Sequence, residues 1–107
     1  MNLKQTINKA MKKDNWGVFA GGIAAPSDKY GYDFKTTFGE YLIQPLGKKY
    51  NSNKSDGYVL YFLNTKNLLP GALWQNLQKY NRISEAMAMA KHHALYALKM
   101  LPNKYSN

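Results

Sequence analysis

The sequence predicts an α+β domain: a small antiparallel three-stranded sheet packed by an N-terminal helix and C-terminal helices, in the order α-β-β-β-(α)-α. Three observations carry this. Apolar residues recur at helical spacing at both ends of the chain, and they alternate with period two in the middle. With 107 residues, 45% of them hydrophobic and 14% aromatic, there is material for a single core and too little chain for two. Residues 1–107 are therefore read as one compact basic domain.

At the N-terminus, Leu3, Ile7, Ala10 and Met11 form one stripe of an amphipathic helix, with Lys4, Lys9, Lys12 and Lys13 around the rest of its circumference. That helix should end near Lys13–Gly17, and lysines in its last turn would complement the helix dipole. "WGVFAGGIAA", Trp16 to Ala25, starts β-prone and turns glycine-rich; Gly21-Gly22 suggests a bulge or a close backbone approach. "PSDKYG" reads as the next turn. From Tyr30 onward, Tyr32, Phe34, Thr36 and Phe38 alternate with polar or small residues, as in a half-buried strand. The phase slips at Gly39, where a bulge is expected before Tyr41 and Ile43.

"QPLGKKYNSNKSDG" is then a long hairpin connection, leading to "YVLYFLN", which is apolar on both faces and is the expected central strand. In "TKNLLPGALWQNLQKYN", Pro70 can open a short helix carrying Leu73, Trp74, Leu77 and Tyr80. Ser84 is placed to cap a longer helix from Glu85 to about Leu101, with Pro102 beyond its end. Ala86, Ala90, Ala94, Ala97 and Leu101 give that helix a small-residue face. Met89, Tyr96 and Met100 form a second apolar edge, and Glu85, His92 and Lys99 a polar stripe. A helix apolar on two sides is covered twice within the monomer or used in a homodimer, with Met89, Tyr96 and Met100 as interface candidates.

Fifteen Lys+Arg stand against six Asp+Glu, a formal net charge of +9. A field of that sign attracts polyanions, so the expected partners are nucleic acid, DNA or RNA, or an acidic protein surface. There is no cysteine, which removes thiolate catalysis and cysteine-ligated metal. No run approaches the roughly 18 apolar residues of a membrane span, and the first residues lack the apolar core of a secretory signal. The expectation is a cytoplasmic protein with no membrane partner.

Motifs for chemistry are sparse. His92 and His93 are adjacent, and neighbouring helical residues point about 100° apart, so the pair does not read as a metal site. The glycines lack the spacing that cradles a phosphate. The six acids are scattered, with no evident acid/base pair. The expectation is a non-enzyme with no cofactor and no metal.

A binding site is read instead from charge and rings. Lys48, Lys49 and Lys54 surround Tyr50 at the hairpin tip, the makeup of a loop that grips phosphates and lays one ring on a base. A solvated tip is the competing reading. Lys9, Lys12, Lys13, Lys35 and Arg82 complete the candidate nucleic-acid contacts, with Lys79 beside them. Phe34, Phe38, Phe62, Trp16 and Trp74 read as core, whereas Tyr30, Tyr32, Tyr50 and Tyr105 read as free to stack or bind.

The element order, together with "SEAMAMAKHHALYAL" and its Glu-Ala-x-x-x-Ala and Ala-Leu-x-x-Leu spacing, resembles the double-stranded-RNA-binding domain. That resemblance implies an αβββα fold and contacts to nucleic-acid backbone. It implies no site residues: the family's lysines at the start of the last helix are replaced here by Ile83 and Ser84, and "PSDKYG" lacks its Gly-Pro-x-His loop. The competing class is a small phage-type inhibitor or adaptor, of the anti-CRISPR or counter-defence kind, that binds a host protein or nucleoprotein.

Overall fold

In the computed structural model, residues 3–17, 31–47 and 56–101 are described. Helix α1 (Leu3–Asn8) passes into two 3₁₀ turns, Lys9–Met11 and Lys13–Asn15. Strands β1 (Tyr32–Lys35), β2 (Glu40–Pro45), β3 (Tyr58–Leu63) and β4 (Trp74–Tyr80) follow, and then helix α2 (Ile83–Met100). The strands form one antiparallel sheet in the order β1-β2-β3-β4. The α+β class holds, but among the described residues the sheet has four strands where three were expected.

Two local features account for the difference. The stretch expected as one bulged strand is a hairpin, reversed at Thr36–Gly39. Thr36 closes it twice, since its backbone N–H and its Oγ1 both reach the Gly39 carbonyl at 2.8 Å, while the Phe38 and Gly39 amides donate to its Oγ1. Gly39 is needed there for space rather than for a left-handed backbone. A Cβ at this position would stand 2.6 Å from the Phe62 ring and 2.7 Å from the Leu63 carbonyl oxygen.

The second feature lies at 66–81, where the expected short helix is replaced by a turn and strand β4. Asn64 organises that turn: its Nδ2 donates to the Leu69 carbonyl, and its backbone amide donates to Leu73. Apolar residues at Leu73, Trp74, Leu77 and Tyr80 fit a helix by spacing, but they are placed by the ladder with β3, in which Trp74 pairs with Leu63 and Tyr80 with Tyr58. A bulge opposite Val59 and Tyr61 explains the phase. Gln78 takes a φ of 88°, and its amide donates to Asn76 Oδ1 at 2.7 Å.

One face of the sheet carries the core. Tyr32, Phe34, Tyr41, Ile43, Tyr58, Leu60 and Phe62 point to the helical layer, where Ala86, Met87, Ala90, Ala94 and Ala97 of α2 and Leu3, Ile7 and Ala10 meet them. The small-residue face of α2 thus packs as expected, because alanines let helix and sheet approach closely. Tyr32, expected to be free, is 1% exposed. Met11, expected on the apolar stripe, is 40% exposed because the helix gives way to 3₁₀ geometry at Lys9 and the stripe loses its phase.

Trp16 fastens the N-terminal segment. Its indole N–H donates to the Ala10 carbonyl at 2.7 Å, its ring lies 5.3 Å from Phe34, and Gly17 bridges Asp33 at the β1 edge. The Gly21-Gly22 and "PSDKYG" expectations lie outside the described residues. Helix α2 begins at Ile83 with Arg82 as its N-cap residue, so Ser84 falls within the first turn and does not cap.

Candidate nucleic-acid interface

The face of the sheet away from the helices has two unlike halves. Strand alternation and register put Lys35, Glu40, Leu63 and Trp74 in one row, Asp33, Leu42, Tyr61 and Asn76 in the next, and Gln44, Val59 and Lys79 in the third. On the β1–β2 half, Leu42 is 5% exposed, and Asp33 and Glu40 are half-buried. The β3–β4 half is open. Trp74 is 51% exposed and Tyr61 is half-buried beside it, with ring centroids 5.1 Å apart.

Trp74 was expected in the core, and its exposure is the main correction to the aromatic reading. As a strand residue it shares its parity with Asn76, on the face opposite Gln75 and Leu77. Its spacing in sequence serves a helix and a strand equally until the Asn64 turn decides between them.

Basic groups flank this open half. Lys79 sits on β4 at the end away from Trp74, and a Cβ on Gly57 would meet its Cε at 2.6 Å, so its stem lies over the base of the β2–β3 connection. That base is tied by Leu46 N–H to Gly57 O and Asp56 N–H to Gly47 O. Lys48, Lys49, Tyr50 and Lys54 of the connection lie outside the described residues. Arg82 is exposed just past β4.

Lys35 lies on β1, the opposite edge, beside two acids. Asp33 hydrogen-bonds Glu40, so the expectation of scattered acids fails at this point. Burial chiefly, and then the Glu40 carboxylate, push the Asp33 carboxyl up to about 7, against the opposing pull of Lys35. Lys9, Lys12 and Lys13 are exposed on the N-terminal segment, where Lys9 and Lys12 line a shallow depression with Asn8, Met11, Asp14 and Asn15. Their element packs on α2. The expected cations therefore form separate groups: an N-terminal group on the helical layer, Lys35 among acids on β1, and Lys79 with Arg82 on the β4 side.

His93 turned inward, unlike His92, which is exposed. Its Nδ1 lies 2.7 Å from Tyr41 Oη, and its ring packs 4.9 Å from Phe62. Burial, with the neighbouring His92 charge adding to it, lowers the His93 pKa; burial also raises that of Tyr41, keeping the phenol protonated. Sequence reasoning missed this pair because 52 residues separate its members. Met89, Tyr96 and Met100 are all exposed on α2. Among the described residues, no three His, Asp or Glu side chains gather as a metal site would require, and no helix is long and apolar enough to cross a membrane.

Fold and surface together define a class: a small basic α+β domain whose sheet is covered by helices on one face and carries an aromatic pair with lysine on the other. No protein-family model matches the chain, and no curated protein or solved structure matches it either.

Proposed function

We propose that this is a non-catalytic nucleic-acid-binding protein that holds phosphates by largely sequence-independent contacts and lays unpaired bases on Tyr61 and Trp74. The carrying observation is the half-exposed Trp74 packed at a tilt against Tyr61 on the open sheet face of a chain with a net charge of +9. A half-exposed ring on the same strand as Lys79 suits base stacking, which is worth roughly 1–3 kcal/mol per base. Lys79 and Arg82 on the β4 side supply charge, and Lys48, Lys49 and Lys54 add to the total.

Tryptophan fluorescence tests this directly, because Trp16 is 3% exposed and Trp74 is the solvent-facing reporter. Titration with oligothymidine, duplex DNA and duplex RNA at several salt concentrations should give saturable quenching strongest with the single strand, and affinity should fall with salt. Trp74→Ala should weaken single-strand binding by about tenfold or more. Replacing Lys48, Lys49 and Lys54 together with Ala should flatten the salt dependence for every nucleic acid alike. Absence of binding at low salt refutes the reading.

A second reading, a small phage-type inhibitor or adaptor, is supported by the exposed edge of α2, where Tyr96 is 62% and Met100 51% exposed. The same edge, with Met89, is the candidate homodimer surface. Light scattering at tens of micromolar tests it: a monomer there removes the homodimer.

A further inference from the structure

A cleft of about 250 Å³ opens between the start of β4 and the end of α2, lined by Phe62, Leu69, Pro70, Gln75, His93, Tyr96, Ala97 and Met100. It lies on the helical side of the sheet, so it is separate from the Tyr61–Trp74 surface. Its walls are apolar and aromatic, apart from the Tyr96 hydroxyl and two polar groups, His93 and Gln75.

The hydrogen bonds fix what those two groups offer. Tyr41 is the hydrogen-bond partner of His93, and among the described residues its hydroxyl proton has no other acceptor. The phenol therefore donates to Nδ1, which leaves the ring proton of the neutral imidazole on Nε2. A fixed N–H donor is the result. One N–H of Gln75 Nε2 is engaged with the Ala72 carbonyl at 2.9 Å, which orients the amide and leaves Oε1 as an acceptor.

We propose that this cleft binds a small uncharged planar ring compound bearing a carboxamide-like group, its carbonyl accepting from His93 Nε2–H and its N–H donating to Gln75 Oε1. The volume admits one ring system of modest size, and Phe62, Tyr96 and Met100 suit a flat aromatic face. Charged ligands are disfavoured, since the depressed basicity of His93 keeps it neutral and no carboxylate or ammonium lines the walls. Sites of this kind, apolar with a few fixed polar groups, are where small molecules are held.

Benzamide serves as the probe, and α-methylstyrene as a molecule of the same shape without the polar atoms. In two-dimensional NMR of the wild-type protein, benzamide should saturate at millimolar concentration and shift His93 ring signals along with residues of the two cleft walls. It should bind more tightly than α-methylstyrene by about two- to tenfold. His93→Phe keeps the ring and removes the donor, so the two probes should then bind alike. Tyr96→Ala, at an exposed wall residue, should weaken both.

Oligonucleotide binding by the same variants should stay at the wild-type level, which separates this proposal from the nucleic-acid reading. Equal binding of the two probes to the wild type, or no saturable shift at His93, overturns the proposal. So does loss of benzamide binding with rising protein concentration as a dimer forms, because a second copy then fills the cleft.

Discussion

Replacing Asp33 with Asn should abolish a loss of stability that the wild type suffers as pH rises from 4 toward 7. In the folded protein the carboxyl is raised from 3.8 to about 7, first by burial and then by Glu40. Between those two values the folded state keeps a proton that the unfolded state releases. Stability from this group is therefore fully present below about pH 4 and is lost as pH rises toward 7. At 1.36 kcal/mol per unit, the full shift would be worth about 4 kcal/mol, but the side chain is only half-buried, and solvent screening reduces this to roughly 1–2 kcal/mol.

Asparagine imitates the protonated acid, so Asp33→Asn should match the wild type near pH 4 and exceed it near pH 8. The assay is urea unfolding at pH steps from 4 to 8, taken as the difference between the two proteins. The difference matters because His93 acts with opposite sign. Its lowered pKa makes a contribution that is present above about 6.5 and lost as pH falls through the folded value. That contribution is common to both proteins and cancels. Parallel curves for variant and wild type across the whole range would refute the raised Asp33 carboxyl.

Other changes probe the frame around the sites. Gly39→Ala places a methyl against the Phe62 ring and the Leu63 carbonyl, and should lower stability by about 1–3 kcal/mol in thermal unfolding. Asn64→Ala frees the Leu69 carbonyl at a buried turn, and should cost about 1–3 kcal/mol; an unchanged midpoint would show that β4 does not depend on that turn. Trp74→Ala should lower unfolding free energy by no more than about 1 kcal/mol, because half of the residue is solvated and its ring contact is with Tyr61 on the open face.

The parts legible in the sequence are those where a single periodicity has a single meaning. Leu3, Ile7 and Ala10 mark the first helix, and the alanines of α2 mark the face that meets the sheet. The apolar run Tyr58 to Leu63 is an interior strand, with Tyr58, Leu60 and Phe62 turned to the core. Legibility fails where a side chain far off, or a turn, decides. The Thr36 hydroxyl converts one strand into two, and the Asn64 amide converts a helical spacing into β4. Lys35 was read for its charge, but only the register places it beside Glu40. The Tyr41–His93 pair is a product of packing between β2 and α2, and no local pattern marks either residue.

The irregularity at Gln78 bears on how this chain behaves in company. As the last strand in the order among the described residues, β4 has outer backbone groups that an extended segment could pair with, the usual route to strand-by-strand polymerisation. The left-handed residue at Gln78 interrupts that template midway, and Lys79 follows at once with a charge that a growing stack would have to desolvate. Substituting a regular, uncharged pair such as Thr-Val at these two positions should leave a straighter border and a protein that precipitates on storage, visible as rising turbidity and thioflavin fluorescence.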